Sequence, residues 1–315
     1  MIRLAAGRIV LGVLTVFVVS ILIFIGTTIL PGDVATAVLG RSATPDAVEA
    51  IRRSLGLNDP APVRYFRWLG AFVTGDMGAS LASRRPVGPD LWIRLKNTFF
   101  LAGMAALVAV PLALVLGIAT AMRRNSWFDR LANITSLAAI SVPEFFVGYL
   151  LILLVSVQLG WLPSLAIVSP GMGLFERVQT IALPALTLIL AVLAYMMRMT
   201  RTAVLDVMSH PYVEMAVLKG VPPRRLVLKH ALPNALAPII QVVAFNLAYL
   251  VVGVVLVEVV FVYPGVGQYL VDAVAKRDIP VVQACGLVFG LTYVGLNVIA
   301  DILVILVNPR LRHPR

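Results

Sequence analysis

Charged residues are scarce in this chain, and acidic residues are scarcer than basic ones. Asp, Glu, Lys and Arg together make up 13% of the 315 residues, whereas 60% are hydrophobic. A soluble domain carries roughly 25% charged residues, so this composition excludes an ordinary soluble protein. The positive net charge does not indicate nucleic-acid binding, because no soluble basic face with stacking aromatic residues is visible. This composition is typical of a membrane protein.

Cysteine and histidine, which build disulfide frameworks and most zinc sites, are nearly absent. Cys285 is the single cysteine, so no disulfide within the chain and no CxxC metal site is possible. His210, His230 and His313 are scattered, and no HExxH spacing occurs. We therefore expect no tight metal centre. The chain also lacks the GxxxxGK[ST] phosphate loop and the GxSxG signature, which disfavours a nucleotide-binding protein and a membrane-embedded hydrolase.

Long hydrophobic runs are what the sequence does contain. Stretches of about 20 apolar residues, enough to cross a roughly 30 Å hydrocarbon core, recur along it. Backbone amides in lipid must be hydrogen-bonded within their own segment, so we predict an all-α membrane protein. The six predicted spans are Ile9–Leu30, Asn97–Met122, Leu131–Val157, Ile181–Met199, Leu236–Val262 and Val281–Val307. In the last span, Gly286 and Gly290 have the GxxxG spacing typical of close helix packing.

The distribution of positive charge predicts the orientation. If both termini and the loops after the second and fourth spans share one side, that side carries the whole net charge of +11. The positive-inside rule places that side in the cytoplasm. We predict a first transmembrane helix over residues 1–30, an extracytoplasmic domain over residues 31–95, and a five-helix core over residues 96–315.

The external insertion has helix-like patterns, including "TPDAVEAIRRSLGL" and "VRYFRWLGAFVTGDMGASL". In the first pattern, Thr44 can cap a helix, Pro45 suits its first turn and Gly56 can end it. The second pattern is amphipathic, and such segments pack on a membrane surface or on neighbouring elements, or contact an external partner. We predict a small helical domain rather than a separate enzyme.

A patterned cytoplasmic stretch, "YVEMAVLKGVPPRRLVLKHALPNAL", precedes the fifth span. Ser209 or His210 can cap a helix there, Pro211 suits its first turn, and Gly220 can end it. The predicted helix is about nine residues long and needs a surface to pack on, because so short a helix is marginal in water. It could lie on the bilayer or dock into a groove of a soluble partner.

The spacing E-M-A-x3-G-x9-H-A-L-P, from Glu214 to Pro233, resembles the EAA signature of ABC importer permeases, E-A-A-x3-G-x9-I-x-L-P. Met215 and His230 depart from that signature. Further stretches, from "FVTGDMGASL" through "HALPNALAPII" and "VEVVFVYPGVGQYLVDAV" to "NPRLR", are similar to the permeases of dipeptide, oligopeptide and nickel importers. In this order and spacing they cover nearly all of the chain.

The resemblance implies the ABC type I importer permease fold, in the inner membrane of a prokaryote, with this chain as half of a heterodimer. Its partners would be a second homologous permease, one or two ATP-binding subunits, an extracytoplasmic solute-binding protein and membrane lipid. ATP and magnesium would be bound by the partner subunits, and no cofactor by this chain. The implied ATPase-coupling residues are Tyr212, Glu214, Met215, Ala216, Lys219, Gly220 and Pro233.

The resemblance favours peptides as cargo, with nickel, opine and glutathione as alternatives. An ion-coupled secondary transporter is the alternative from a different class, although no internal repeat is visible. Glu144, Glu258 and Asp301 lie within or at the ends of predicted spans and are candidates for the pathway or for gating. Glu258 and Asp301 match acidic positions of the family pattern. Glu144 is less typical, and could form an interface pair, lie at a water-exposed helix end or contact cargo.

Overall fold

The computed structural model describes residues 2–29, 44–54, 56, 58–169 and 171–307, which form helices joined by loops without any β-strand. The external and central helices are α1 (Ile2–Ile29), α2 (Pro45–Ser54), α3 (Ala61–Val73), α4 (Val87–Met122), α5 (Trp127–Ser141), α6 (Glu144–Leu151), α7 (Leu174–Thr180) and α8 (Ala182–Met208). Then follow α9 (Pro211–Leu218), α10 (Pro223–Arg225), α11 (Leu232–Val252), α12 (Val254–Val260), α13 (Val266–Lys276) and α14 (Ile279–Val307). The stretches "NPRLR" and Pro31–Gly40, and His313, lie outside the described residues.

Five helical segments of the described chain are long and apolar enough to cross a membrane. They are Arg3–Ile29, Val87–Met122, Ala182–Met208, Leu226–Val260 and Ile279–Leu306. Five of the six predicted spans thus each correspond to one long helical segment, which confirms the all-α membrane architecture. Several helices are longer than the hydrophobic runs predict. The second begins at Val87 rather than at Asn97, because a helix continues past the lipid edge into polar residues.

The predicted third span, Leu131–Val157, is not one straight helix. The helices α5 and α6 meet at an angle of 96°, so this pair forms a sixth span only if the bent unit crosses as one. Pro143 explains the break, because proline lacks a backbone donor and disfavours helical conformation in the residue before it. Val142 accordingly is extended, with φ −95° and ψ 126°. Beyond α6 the chain continues as π-helical turns over Ile152–Gln158.

The first helix packs along the last one. A Cβ at Gly290 would lie 3.0 Å from the side chain of Val19, and one at Gly286 would lie 3.3 Å from Ile23. The two glycines therefore allow α1 and α14 to approach closely. This confirms the helix-packing role predicted from their spacing.

The amphipathic external helix α3 packs on α1. The Tyr65 ring lies edge-on to Phe24, with ring centroids 5.4 Å apart, and its hydroxyl is 2.8 Å from the Ser20 hydroxyl. Tyr65 is buried by this contact, whereas neighbouring Phe66 is exposed. Of the predicted alternatives, packing on a neighbouring element is the one observed. The α2 helix predicted from "TPDAVEAIRRSLGL" is also present, and Gly56 follows it with φ +62°.

The loop after α3 is held by Asp278, which precedes α14. The Asp278 carboxylate accepts hydrogen bonds from the Ser80 hydroxyl and from the backbone N–H groups of Leu81, at 3.0 Å, and Ala82, at 3.3 Å. Asp278 is buried, so these donors compensate for the loss of water around its carboxylate. Through α3 and this loop, the insertion therefore contacts both α1 and the start of α14.

Candidate functional site

The cytoplasmic helix predicted from the EAA-like stretch is α9, which has eight residues and begins at Pro211. His210 occupies the N-cap position in an extended conformation but makes no side-chain cap hydrogen bond, so the predicted cap is wrong there. Its Nδ1 lies 3.0 Å from the carbonyl oxygen of Asp206, and the Ser209 hydroxyl donates to the same oxygen. Both side chains thus complete the end of α8 instead of the start of α9.

Gly220 ends α9 as predicted, in the left-handed conformation with φ +75°. The turn is closed by hydrogen bonds from Gly220 N–H to the Val217 carbonyl and from Val221 N–H to the Ala216 carbonyl. Among the described residues, apart from its two chain neighbours, no heavy atom lies within 4 Å of a Cβ built at Gly220. Glycine is therefore required here by the backbone conformation, not by crowding within this chain.

One face of α9 packs against its own chain, and the opposite face is exposed. Val213 is 1% exposed and Ala216, one turn later, is half-buried. Tyr212, Met215 and Leu218 are exposed, Leu218 to 75%. The side chains of Tyr212 and Met215 therefore face away from the rest of the chain. Val213 was not predicted as the contact residue, although its i, i+3 spacing to Ala216 indicates a shared helix face.

The other residues of the EAA-like stretch lie in α9 and in the segment that follows it. Glu214 and Lys219 are exposed, and Glu214 lies in the first turn of α9, where the helix dipole favours an anion. After α10 the chain forms π-helical turns over Leu226–Ala231. Pro233 is exposed in the first turn of α11, a position that needs no N–H donor.

A buried ion pair joins α5 to α8, the helix that precedes α9. Arg201 of α8 donates to both carboxylate oxygens of Asp129, at 2.7 and 2.8 Å. Asp129 also accepts from the Asn125 N–H and from the Asn133 side chain, so its carboxylate is fully satisfied. Asp129 and Arg201 entered the prediction of orientation only as two of the charges on the predicted cytoplasmic side. Their separation of 72 residues gave no signal of pairing.

Glu258, one of the three candidates for the pathway or for gating, is fully buried, and its carboxylate accepts hydrogen bonds from three donors. Thr98 donates from its hydroxyl at 2.6 Å, and the backbone N–H groups of Gly267 and Gln268 donate at 2.7 and 3.1 Å. This carboxylate therefore links α4, α12 and the start of α13. The residues that hold it were not predicted, because they come from two stretches of sequence, around Thr98 and at Gly267–Gln268, that are 169 positions apart by number.

A polar network surrounds the external end of α4, next to Glu258. The Asn97 side chain donates to the Pro264 carbonyl at 2.9 Å and accepts from Arg177 at 2.9 Å. The Arg177 guanidinium lies over the Phe100 ring, 4.0 Å from its centroid. Burial raises the pKa of Tyr263 to about 12, so its phenol stays protonated and donates to the Asn97 carbonyl.

Asp301 and Glu144 lie apart from Glu258 and from each other. Asp301 of α14 pairs with Arg8 of α1, with 3.1 Å between the charged atoms. Glu144 is the first residue of α6, directly after the break in the third span, and accepts a 3.1 Å hydrogen bond from the Tyr249 hydroxyl. It lines a cavity of about 410 Å³. The structure therefore does not bring the three predicted carboxylates into one site.

Two protein-family models match this sequence and together cover most of it. Residues 113–313 match the family described as "Binding-protein-dependent transport system inner membrane component", and residues 1–88 match the corresponding N-terminal family. The chain belongs to this family of ABC importer permeases. The match confirms the type I importer permease fold and the multi-pass location in the inner membrane. A permease subunit is not an enzyme, and the family excludes the alternative of an ion-coupled carrier.

Curated relatives are similar to this permease over nearly their whole length. It is 38% identical over 299 residues, 95% of either chain, to the "Glutathione transport system permease protein GsiC" of Escherichia coli strain K12. Proteins of the same name from Shigella flexneri serotype 5b and Salmonella paratyphi A match with the same identity and coverage. These relatives place the permease in the dipeptide, oligopeptide and nickel group that the motifs predicted.

Proposed function

We propose that this permease forms half of a pathway for short peptides, and that ATP-binding subunits drive it through α9. The single observation that carries the proposal is the outward face of α9. Tyr212, Met215 and Leu218, spaced three residues apart, are all exposed along this face of an eight-residue helix. A contiguous apolar patch on a cytoplasmic helix marks an interaction surface.

The exposed charges favour a protein partner over the bilayer for this face. Glu214 and Lys219 are exposed among the apolar side chains, so a helix pressed into hydrocarbon would desolvate them. A protein groove can pair both charges and still cover Met215 and Leu218. Val213 seats the helix on its own chain, so that a force applied to the open face would reach α8 and the segment before α11.

Energy must then come from partners that bind ATP and magnesium, because this chain has no phosphate loop. Closure of those subunits would move α9 and shift the spans between inward-open and outward-open states. We propose a second homologous permease as the other half of the pathway, and one or two kinds of ATP-binding subunit. The family description, which names a binding-protein-dependent system, supports a solute-binding protein on the external side.

The cargo proposal is a short peptide. The relatives named for glutathione transport fit the alternative cargo predicted from the resemblance, and glutathione, as a tripeptide, falls within the broader class of short peptides. Nickel and opines are the competing cargoes within the same group of permeases. The proposal extends the family assignment and depends on what the assembled importer transports.

Uptake into proteoliposomes tests the proposal. The permease would be reconstituted with its companion permease, ATP-binding subunits and binding protein, and loaded with ATP on the cytoplasmic side. We expect uptake of labelled glutathione or trialanine that needs both ATP and this permease. Uptake of nickel alone under these conditions would overturn the peptide cargo, and peptide uptake without the ATP-binding subunits would overturn the coupling mechanism.

A further inference from the structure

The cavity beside Glu144 is a mostly apolar cleft between α5, α6, α8 and α11, with a few polar groups on its wall. Its wall includes Tyr195 from α8 and Phe245, Asn246 and Tyr249 from α11. These positions lie near the centres of two membrane-crossing segments, far from both helix ends. Glu144 enters the cleft where the third span is broken at Pro143. Interrupted helices of this kind are tolerated in a membrane where they line a cavity.

Glu144 differs in its partners from Glu258, Asp129 and Asp301. Glu258 accepts from three donors, Asp129 binds Arg201 in a bidentate pair, and Asp301 pairs with Arg8. Within the described part of the chain, Glu144 forms no ion pair and accepts one hydrogen bond, from Tyr249. A carboxylate has about four acceptor sites, so most of its capacity faces the cleft.

We propose that Glu144 forms a cargo subsite for an organic ammonium group, such as the free α-amino group of a peptide. This inference rests on the proposed peptide cargo and adds the group of the cargo that the permease itself recognises. An ammonium group carries three donors and a positive charge. It would complete the hydrogen bonding of the carboxylate and neutralise a charge that is costly within a membrane.

The aromatic walls of the cleft suit the same ligand. The rings of Tyr195 and Phe245 lie 6.3 Å apart between centroids, and both side chains are partly exposed towards open space. A cation beside such rings is attracted to their faces, most strongly when water is excluded. The Tyr249 hydroxyl fixes one carboxylate oxygen and leaves the other available.

A bare metal ion fits the cleft less well than an ammonium group. Among the described residues, no three His, Cys, Asp or Glu side chains are close enough to hold a metal. One carboxylate with phenols and an amide cannot supply the ligand set that a nickel ion takes from imidazole or thiolate. The cleft therefore favours an organic cation.

Equilibrium binding to the assembled complex in lipid nanodiscs, without the solute-binding protein, tests the subsite. Ligand-observed NMR would compare glutathione and trialanine with their N-acetylated forms, which lack the ammonium group. We expect the wild-type permease to bind the free amines at least about tenfold more tightly, as one charge-assisted hydrogen bond provides. This comparison needs no variant. Equal binding of free and acetylated peptides would overturn the subsite.

Variants then identify the group that is responsible. Glu144→Gln should remove the preference for free amines and leave acetylated peptides within about twofold, while Glu144→Asp should keep part of it. Glu176→Gln, an exposed glutamate on α7, is the matched control and should bind as wild type. An equal loss for both peptide forms in Glu144→Gln would show a structural role and contradict the proposal. Wild-type protein that binds neither peptide while its ATP-binding subunits stay attached would contradict the peptide cargo itself.

Discussion

The Thr98 hydroxyl donates a 2.6 Å hydrogen bond to Glu258, joining two helices whose residues are 160 positions apart. The same hydroxyl accepts from the Val266 N–H at 2.9 Å. Glu258 accepts in turn from two N–H groups at the start of α13. The carboxylate is thus built into the external end of the bundle and does not line the cavity beside Glu144.

Replacing Glu258 should destabilise the permease before it affects cargo. Glu258→Ala leaves three buried donors without acceptors, each costing about 1–3 kcal/mol. Glu258→Gln should lie between alanine and wild type, because its amide retains one acceptor oxygen. Thermal unfolding of the detergent-solubilised complex measures the order. A Glu258→Ala protein with unchanged melting but lost cargo-stimulated ATP hydrolysis would indicate a gating role instead.

Gly265 should not tolerate even a methyl group. A Cβ at Gly265 would overlap the Glu258 carboxylate, so Gly265→Ala must displace the buried acid. We expect a loss of about 1–3 kcal/mol, as for overpacked cores. Gly103→Ala is the matched control, since a Cβ there would meet no atom of another described element within 4 Å. Equal melting temperatures of the two variants would refute the close packing around Glu258.

The Asp129–Arg201 pair should require the guanidinium, not only a positive charge. Arg201→Lys keeps the charge but cannot form both hydrogen bonds to the carboxylate. We expect it to lose stability, and Arg201→Ala to lose about 3–5 kcal/mol because Asp129 is left buried without its partner. Chemical unfolding of both variants and of Asp129→Asn provides the measurement. Full stability of Arg201→Lys would show that the bidentate geometry is dispensable.

Leu218→Glu should detach the ATP-binding subunits without unfolding the permease. Leu218 is 75% exposed, so the change should alter stability by no more than about 0.5 kcal/mol while placing a charge in the proposed docking surface. Co-purification of the ATP-binding subunits measures the effect. Val73→Glu, at an external residue that is 77% exposed, is the matched control and should co-purify normally. Normal recovery with Leu218→Glu would argue against α9 as the contact.

Breaking the Arg8–Asp301 pair should have a small effect. Both side chains are partly exposed, so Asp301→Asn should cost no more than about 1 kcal/mol and leave uptake within about twofold. The exchange of both charges, Arg8→Asp with Asp301→Arg, should behave like wild type. Uptake that fails in Asp301→Asn at normal stability would instead give Asp301 the gating role predicted from the sequence.

The patterns that the sequence predicted well are local ones. Apolar runs gave five of the spans, because crossing hydrocarbon requires length and internal hydrogen bonding. Pro211 and Gly220 set the limits of α9, because each restricts or permits a backbone conformation at its own position. The kink at Pro143 could have been predicted by the same reasoning, but the continuous apolar run concealed it.

By itself, therefore, the sequence determined the class of protein, the helical nature of its membrane segments, the positions of five of them and the position of α9. Only the tertiary structure decided which carboxylates are already bound. Glu144, Glu258 and Asp301 look alike as acids in apolar runs, but their partners come from distant helices. Hydrogen bonding and charge pairing depend on distances of about 3 Å, and helix packing sets these distances.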